Sequence, residues 1–127
     1  MSSPAIVTGN LTRSPQLSRT SDGTPVVNLT LAENSRRQVE GEWVDGPTTY
    51  WDVVCFGAQA EHIITSLTKG ARAIAVGVFR TRTWTGPDGD ERSRLELLAD
   101  EVGPSLRWAT TTITKATITI TKATAAG

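Results

Sequence analysis

Arginine and tryptophan side chains alternate near the end of an extended run, and this spacing suits nucleic-acid binding. Successive side chains of a strand point to opposite faces, so Arg80, Arg82 and Trp84 share one face. A guanidinium can pair with phosphate, and a flat ring can stack on any base. The pattern therefore favours a ligand with a charged backbone and aromatic bases.

A second basic run lies beyond a predicted turn at residues 86–90, which read GPDGD. Arg92 and Arg94 share a face with Glu96, and the turn can bring them beside Trp84. Base stacking contributes about 1 to 3 kcal/mol, and arginines along a backbone add a salt-sensitive contribution. The alternative is that Trp84 only covers a barrel end while the arginines form a solvated surface with the acidic residues around the turn.

Side chains for catalysis or metal binding are scarce. The 127 residues include one cysteine, Cys55, and one histidine, His62, and no GxxxxGK[ST] or HExxH motif. His62 falls on a predicted helix, where a surface or capping role is commoner than a catalytic one. We expect no enzyme activity, no metal and no cofactor. Cys55 is expected to be a buried thiol, although a symmetric oligomer could link two copies of it.

Length and charge indicate one globular domain. Thirteen basic and thirteen acidic residues give a net charge of zero, so only their local arrangement can indicate a nucleic-acid partner. No apolar run approaches the roughly 18 residues of a membrane span. The start of the chain, MSSPAIVTGN, lacks the features of a secretory signal. We expect a cytoplasmic protein that does not enter a membrane.

The elements that must position these side chains follow the order of three strands, one helix and two strands. The predicted strands cover residues 5–20 with a bend, 25–32, 48–56, 71–84 and 91–99. The helix lies between Gly57 and Gly70, with Gly70 as its C-terminal cap and Lys69 near its negative end. Residues 33–47 are predicted to form a long exposed hairpin arm. This order is that of the all-β, five-stranded oligonucleotide-binding (OB) barrel.

Several segments resemble the bacterial single-stranded DNA-binding proteins. They read GNL at 9–11, NLTLA at 28–32, YWDVVCFG at 50–57, LTKGARAIAVG at 67–77 and RTRTW at 80–84, in one register over residues 5–110. GPSLRWAT at 103–110 is similar to the actinobacterial branch. The resemblance implies a nucleoid-associated homotetramer that binds single-stranded DNA without strong sequence preference, in replication, recombination or repair. An OB-fold module that binds RNA or a protein is the alternative.

The resemblance also implies which residues bind. Trp51, Phe56 and Trp84 fall where the family places stacking rings, and Arg37 falls where a fourth ring occurs. The complete predicted DNA-binding set is Trp51, Phe56, Trp84, Arg37, Lys69, Arg80, Arg82, Arg92 and Arg94. Trp43, further along the arm, either compensates for the missing ring or contacts a neighbouring subunit.

The spacing of two of these rings raises a difficulty. Trp51 and Phe56 are separated by an odd number of residues, so an unbroken strand points them to opposite faces. Either a β-bulge intervenes or Phe56 lies past the strand end. Ordinary core packing is the other interpretation of Phe56.

The binding domain is predicted to span residues 1–110, followed by a low-complexity tail at 111–127 that spells TITKAT at 112–117 and again at 119–124. The tail is either passive, or a remnant of cloning, or an extra strand that pairs with a neighbouring subunit. The family recruits replication and repair proteins through an acidic C-terminal tip, whereas this sequence ends TKATAAG. We therefore expect no recruitment of that kind, whether the sequence is truncated or belongs to a paralogue.

Overall fold

The structure is a computed structural model that describes residues 4–116. It contains six strands and one helix: β1 Pro4–Leu11, β2 Leu17–Arg19, β3 Pro25–Val39, β4 Glu42–Phe56, α1 Ala58–Ser66, β5 Arg72–Thr85 and β6 Glu91–Pro104. Neighbouring strands follow the order β1-β5-β6-β4-β3-β2, and β1 also pairs with β3, which closes the sheet. Strands β1 and β2 are the two halves of the predicted bent first strand. The predicted all-β architecture is confirmed.

Alternate residues of the strands fill the interior. The buried apolar side chains come from every strand except β2, and α1 adds Ala60 and Ile63 to them. On β3 the buried residues are Val27, Leu29 and Leu31, with more exposed residues between them. This two-residue period fixes which side chains remain for the outer face.

Strands β3 and β4 run on past the barrel as a long exposed hairpin, as predicted for residues 33–47. Each strand has 15 residues, and the turn between them places Glu40 and Gly41 at positive φ. The predicted strands 25–32 and 48–56 stopped short of the arm, because the arm has a polar sequence. Cross-strand pairing continues without a buried face, and it is interrupted by one irregularity between Asn34 and Arg36.

The predicted role of Gly70 as helix cap is wrong. Helix α1 ends at Ser66, and the extended residue Leu67 caps it by donating its N–H to the carbonyl of Ile63 at 2.9 Å. Gly70 has φ of +88° in the following turn, and its N–H donates to Leu11 at 2.8 Å. Lys69 therefore lies outside the helix. A glycine after an apolar helical pattern predicts a chain reversal, and here the reversal at Gly70 comes three residues after the helix cap Leu67.

The first part of the tail has no regular structure. Residues 111–116 form no strand within this chain and are exposed. The end of the first TITKAT copy and the whole second copy lie outside the described residues. In the part of the chain that is described, no helix has the length and apolar character required to cross a bilayer.

Strands β5 and β6 approach each other closely at Gly77, beside the irregularity in their pairing between Val76 and Gly77. A Cβ at Gly77 would collide with the carbonyl oxygen of Leu98 and lie 2.8 Å from the Cα of Ala99. We expect Gly77→Ala to lower the free energy of unfolding by about 1 to 3 kcal/mol, because backbone atoms must shift. Gly103→Ala is the matched control, since a Cβ there has nothing within 4 Å. Urea unfolding at fixed protein concentration compares the two, and equal midpoints would contradict the close approach.

Cys55 is buried in the core, as predicted, and burial raises the pKa of its thiol. The unfolded chain loses the thiol proton more readily, so stability is unaffected below the ordinary thiol pKa and falls as the pH rises from that value through the raised pKa of the folded protein. We expect a thiol-specific reagent at pH 8 to react far more slowly with the native protein than with the urea-unfolded chain. Fast native labelling, or a reductant-sensitive dimer on a denaturing gel, would contradict a buried free thiol.

Candidate nucleic-acid interface

The two predicted basic runs lie side by side on the outer face of β5 and β6. The antiparallel register pairs Arg80 with Glu96, Arg82 with Arg94, and Trp84 with Arg92. Residues paired in this way point to the same side of a sheet. The predicted grouping of one tryptophan with four arginines is therefore confirmed.

This outer face forms one wall of an open cleft of about 490 Å³. The opposite wall is the outer face of the β3–β4 hairpin, and a side chain from the loop after β1 also contributes. Its charged and aromatic lining consists of Arg13, Asp52, Phe56, Arg80, Arg82, Arg94 and Glu96. The cleft thus combines four guanidinium groups, two carboxylates and one ring.

Every arginine of the basic runs has a carboxylate partner. Glu96 binds both Arg80 and Arg82, at N–O distances of 2.9 and 3.4 Å. Arg94 pairs with Asp52 at 3.1 Å, and Arg92 pairs with Asp88 of the turn at 3.3 Å. The Arg92 pair matches part of the alternative interpretation, in which arginines and turn acids form a solvated surface. The other three arginines line the cleft.

Two aromatic rings stand at this face beneath guanidinium groups. Phe56 is 40% exposed, and the Cζ of Arg80 lies 5.9 Å from its ring centre. Trp84 is 38% exposed, and the Cζ of Arg82 lies 4.7 Å from its ring. Each ring therefore remains partly accessible while a cation lies against it.

Trp51 does not share this face. Strand β4 stays in register with β3 from Trp51 to Phe56, with no bulge between them, and Phe56 is the last strand residue. Neither proposed solution of the odd spacing holds, so the two side chains lie on opposite faces. The Trp51 ring packs against Phe79 with centroids 5.7 Å apart, and its Nε1 donates to Glu33 at 2.8 Å.

Sequence reasoning missed Tyr50. This residue lies six positions before Phe56 on an unbroken strand, so both point to the cleft side, and Tyr50 is 64% exposed. The signal was present in the motif YWDVVCFG, because counting in steps of two from Phe56 arrives at Tyr50 rather than Trp51. The ring stands opposite Ala32, whose small side chain leaves it uncovered.

The arm places its two predicted contacts on different sides. Arg37 pairs with Val44, whereas Trp43 pairs with Gln38, the next position along the strand. By this register Trp43 shares the side of Tyr50, and Arg37 shares the side of Trp51. The Trp43 ring has Arg36 against it at 5.9 Å. The Trp43 ring therefore lies on the opposite side of the arm from Arg37, so it does not replace the ring that the family has at that position.

Lys69 is not brought to the cleft. It lies in the turn after α1, where its backbone N–H donates to Ser14 Oγ at 3.0 Å. His62 is an exposed residue of α1, also away from the cleft. Within residues 4–116 no three histidine, cysteine, aspartate or glutamate side chains are grouped in a way that could hold a metal ion.

A family model described as the single-strand binding protein family matches residues 3–105, which is most of the chain. The chain belongs to this family. The single-stranded DNA-binding protein of Mycobacterium leprae is 42% identical over 113 residues, covering 87% of this chain and 67% of the relative. Single-stranded DNA-binding protein 1 of Tropheryma whipplei is 39% identical over 119 residues, covering 92% and 64%. The resemblance, including its actinobacterial character, is confirmed.

A solved structure gives the same result for the fold. The small single-stranded DNA-binding protein from Streptomyces coelicolor superimposes with a TM-score of 0.70 at 25% identity, covering 83% of this chain and 95% of that one. The chain spans about two thirds of the length of the two curated relatives. The residues matched by the family model, 3–105, include every residue that lines the cleft.

The neighbouring rings at positions 50 and 51 should differ in their effect on folding. We expect Trp51→Ala to lower the free energy of unfolding by about 2 kcal/mol, because it removes packing on Phe79 and the hydrogen bond to Glu33. Tyr50→Ala should change it by less than about 0.5 kcal/mol, because the ring is exposed. Urea unfolding measures both. The reverse order of effects would show that the face assignment is wrong.

Proposed function

We propose that this chain binds single-stranded DNA without strong sequence preference and without catalysing a reaction. The observation that carries the proposal is the outer face of β5 and β6 with its cleft, where the exposed rings of Phe56 and Trp84 stand among arginines. The relatives named above are single-stranded DNA-binding proteins. Stacking on a ring needs an unpaired base but no particular one, so this surface suits a single strand.

The roles of the individual residues follow from their positions. Phe56 and Trp84 provide stacking surfaces, and we add Tyr50 to them because it shares their side of the hairpin. Arg80, Arg82, Arg92 and Arg94, with Arg13 opposite, make up the basic side chains along the path of the strand. Trp51 acts beneath this surface by packing on Phe79. Arg37 and Lys69 lie beyond the cleft and would contact DNA only where the strand leaves it.

We further propose that the binding domain spans residues 1–110 and assembles as a homotetramer, as is typical of the family. An exposed apolar strip on the outer side of β1 and β5 supports assembly: Ile6 stands opposite Val76, and Ile74 is its neighbour on β5. Such a strip is suited to packing against a second copy of the chain. The proposed roles in replication, recombination and repair place the protein with the nucleoid in the bacterial cytoplasm.

Binding to labelled poly-dT, duplex DNA and RNA tests the ligand class directly. We expect poly-dT to bind most tightly, because a duplex hides its base faces; a preference for RNA would instead support the alternative module.

Replacement of each exposed ring should weaken binding to poly-dT by about 1 to 3 kcal/mol, in the variants Tyr50→Ala, Phe56→Ala and Trp84→Ala. Trp108→Ala is the control, since that ring is more accessible, at 73% exposed, but lies after β6 against Arg72 and Arg107. Unchanged affinity in all three folded cleft variants would contradict stacking at this face.

A further inference from the structure

A buried carboxylate lies at the centre of the basic side of the cleft. The side chain of Glu96 is only 7% exposed, although it lines the cleft. Its Oε2 accepts a hydrogen bond from Nε of Arg80 at 2.9 Å and lies 2.9 Å from Nη2 of the same arginine, and its Oε1 lies 3.4 Å from Nε of Arg82. Both oxygens are therefore used, one for each arginine.

The two arginines held by Glu96 are the same two that lie on the aromatic rings. Arg80 extends from the carboxylate to Phe56, and Arg82 extends from it to Trp84. An arginine side chain has many rotamers, and fixing it costs free energy unless a partner holds it beforehand. One carboxylate thus fixes two guanidinium planes, each against one of the two rings at the cleft.

We propose that Glu96 is a positioning residue of the cleft, an internal counter-ion that holds Arg80 and Arg82 against the rings and cancels one of their two charges. This inference rests on the proposed binding of single-stranded DNA. A phosphate that approaches the three side chains meets a net charge of +1 instead of +2. Arg80 and Arg82 consequently serve the bases more than the phosphates, and less of the affinity depends on salt.

The burial of Glu96 makes this arrangement permanent rather than incidental. A buried carboxylate without a cation is strongly destabilising, so Glu96 remains paired with at least one arginine in the free protein. The two arginines remain about half exposed, at 43% and 54% of their side chains, and so can contact a ligand while still paired. Exposed surface pairs such as Arg19 with Glu61 have no such anchor.

The test is Glu96→Gln, which keeps the shape of the side chain and removes its charge. For single strands the logarithm of affinity falls with the logarithm of salt concentration by about 0.7 per neutralised phosphate charge. We expect the slope for an oligo-dT to become steeper by about 0.7, so the ratio of variant to wild-type affinity falls about fivefold per tenfold rise in salt. Glu61→Gln is the matched control, because it also frees an arginine, Arg19, but outside the cleft. Its slope should equal that of the wild type.

A double variant separates charge from folding. Arg80→Gln with Glu96→Gln restores the net charge of +1 and removes the repulsion between two uncompensated arginines, so it remains testable if the single variant does not fold. We expect its salt slope to return to the wild-type value while its affinity stays below wild type at every salt concentration, because Arg80 no longer lies on Phe56. Circular dichroism and thermal melting confirm folding of each variant.

The outcomes distinguish the two proposals. If the wild-type protein does not bind oligo-dT, the proposed function itself fails. If the wild type binds and Glu96→Gln shows the same slope as Glu61→Gln, the role of Glu96 is overturned while the proposed function stands. A double variant that keeps a steepened slope would likewise overturn the counter-ion role.

Discussion

The continuous antiparallel pairing of β3 with β4 is the constraint on which the rest of the molecule depends. From Val26 opposite Phe56 to Asn34 opposite Thr48 the register is unbroken. Side chains of β3 therefore alternate between interior and exterior along the barrel wall. Burial of Val27, Leu29 and Leu31 fixes this alternation, because a slip of one residue would expose all three. The same register places Asp52 and Phe56 on the side of β4 that lines the cleft.

The sequence allowed the order of the elements, the turn at residues 86–90 and the shared face of Arg80, Arg82 and Trp84 to be predicted, because each depends on local periodicity. The same period of two, applied from Phe56, also indicated Tyr50. Positional matching to the family gave Trp51 instead. The alternation along β4 identifies the exposed ring, whereas position within the motif does not.

Other features depended on partners that no local pattern contains. The extension of β3 beyond Ala32 depends on cross-strand hydrogen bonds, which a polar sequence does not announce. The burial of Glu96 depends on two arginines from the neighbouring strand, and glutamate is seldom buried without such partners. The turn at Gly70 is held by the carbonyl of Leu11, more than fifty residues earlier. Each of these requires the assembled barrel.

The different surroundings of Trp51 and Trp84 have a consequence for tryptophan fluorescence. The indole of Trp51 is half-buried and hydrogen-bonded to Glu33, so its emission follows the integrity of the barrel. The indole of Trp84 is partly exposed on the outer face of β5 and β6 beneath Arg82, so its emission follows a ligand bound at that face. Of the chain's four tryptophans, these two thus report on different things: Trp51 on the interior, and Trp84 on a surface that a ligand would cover.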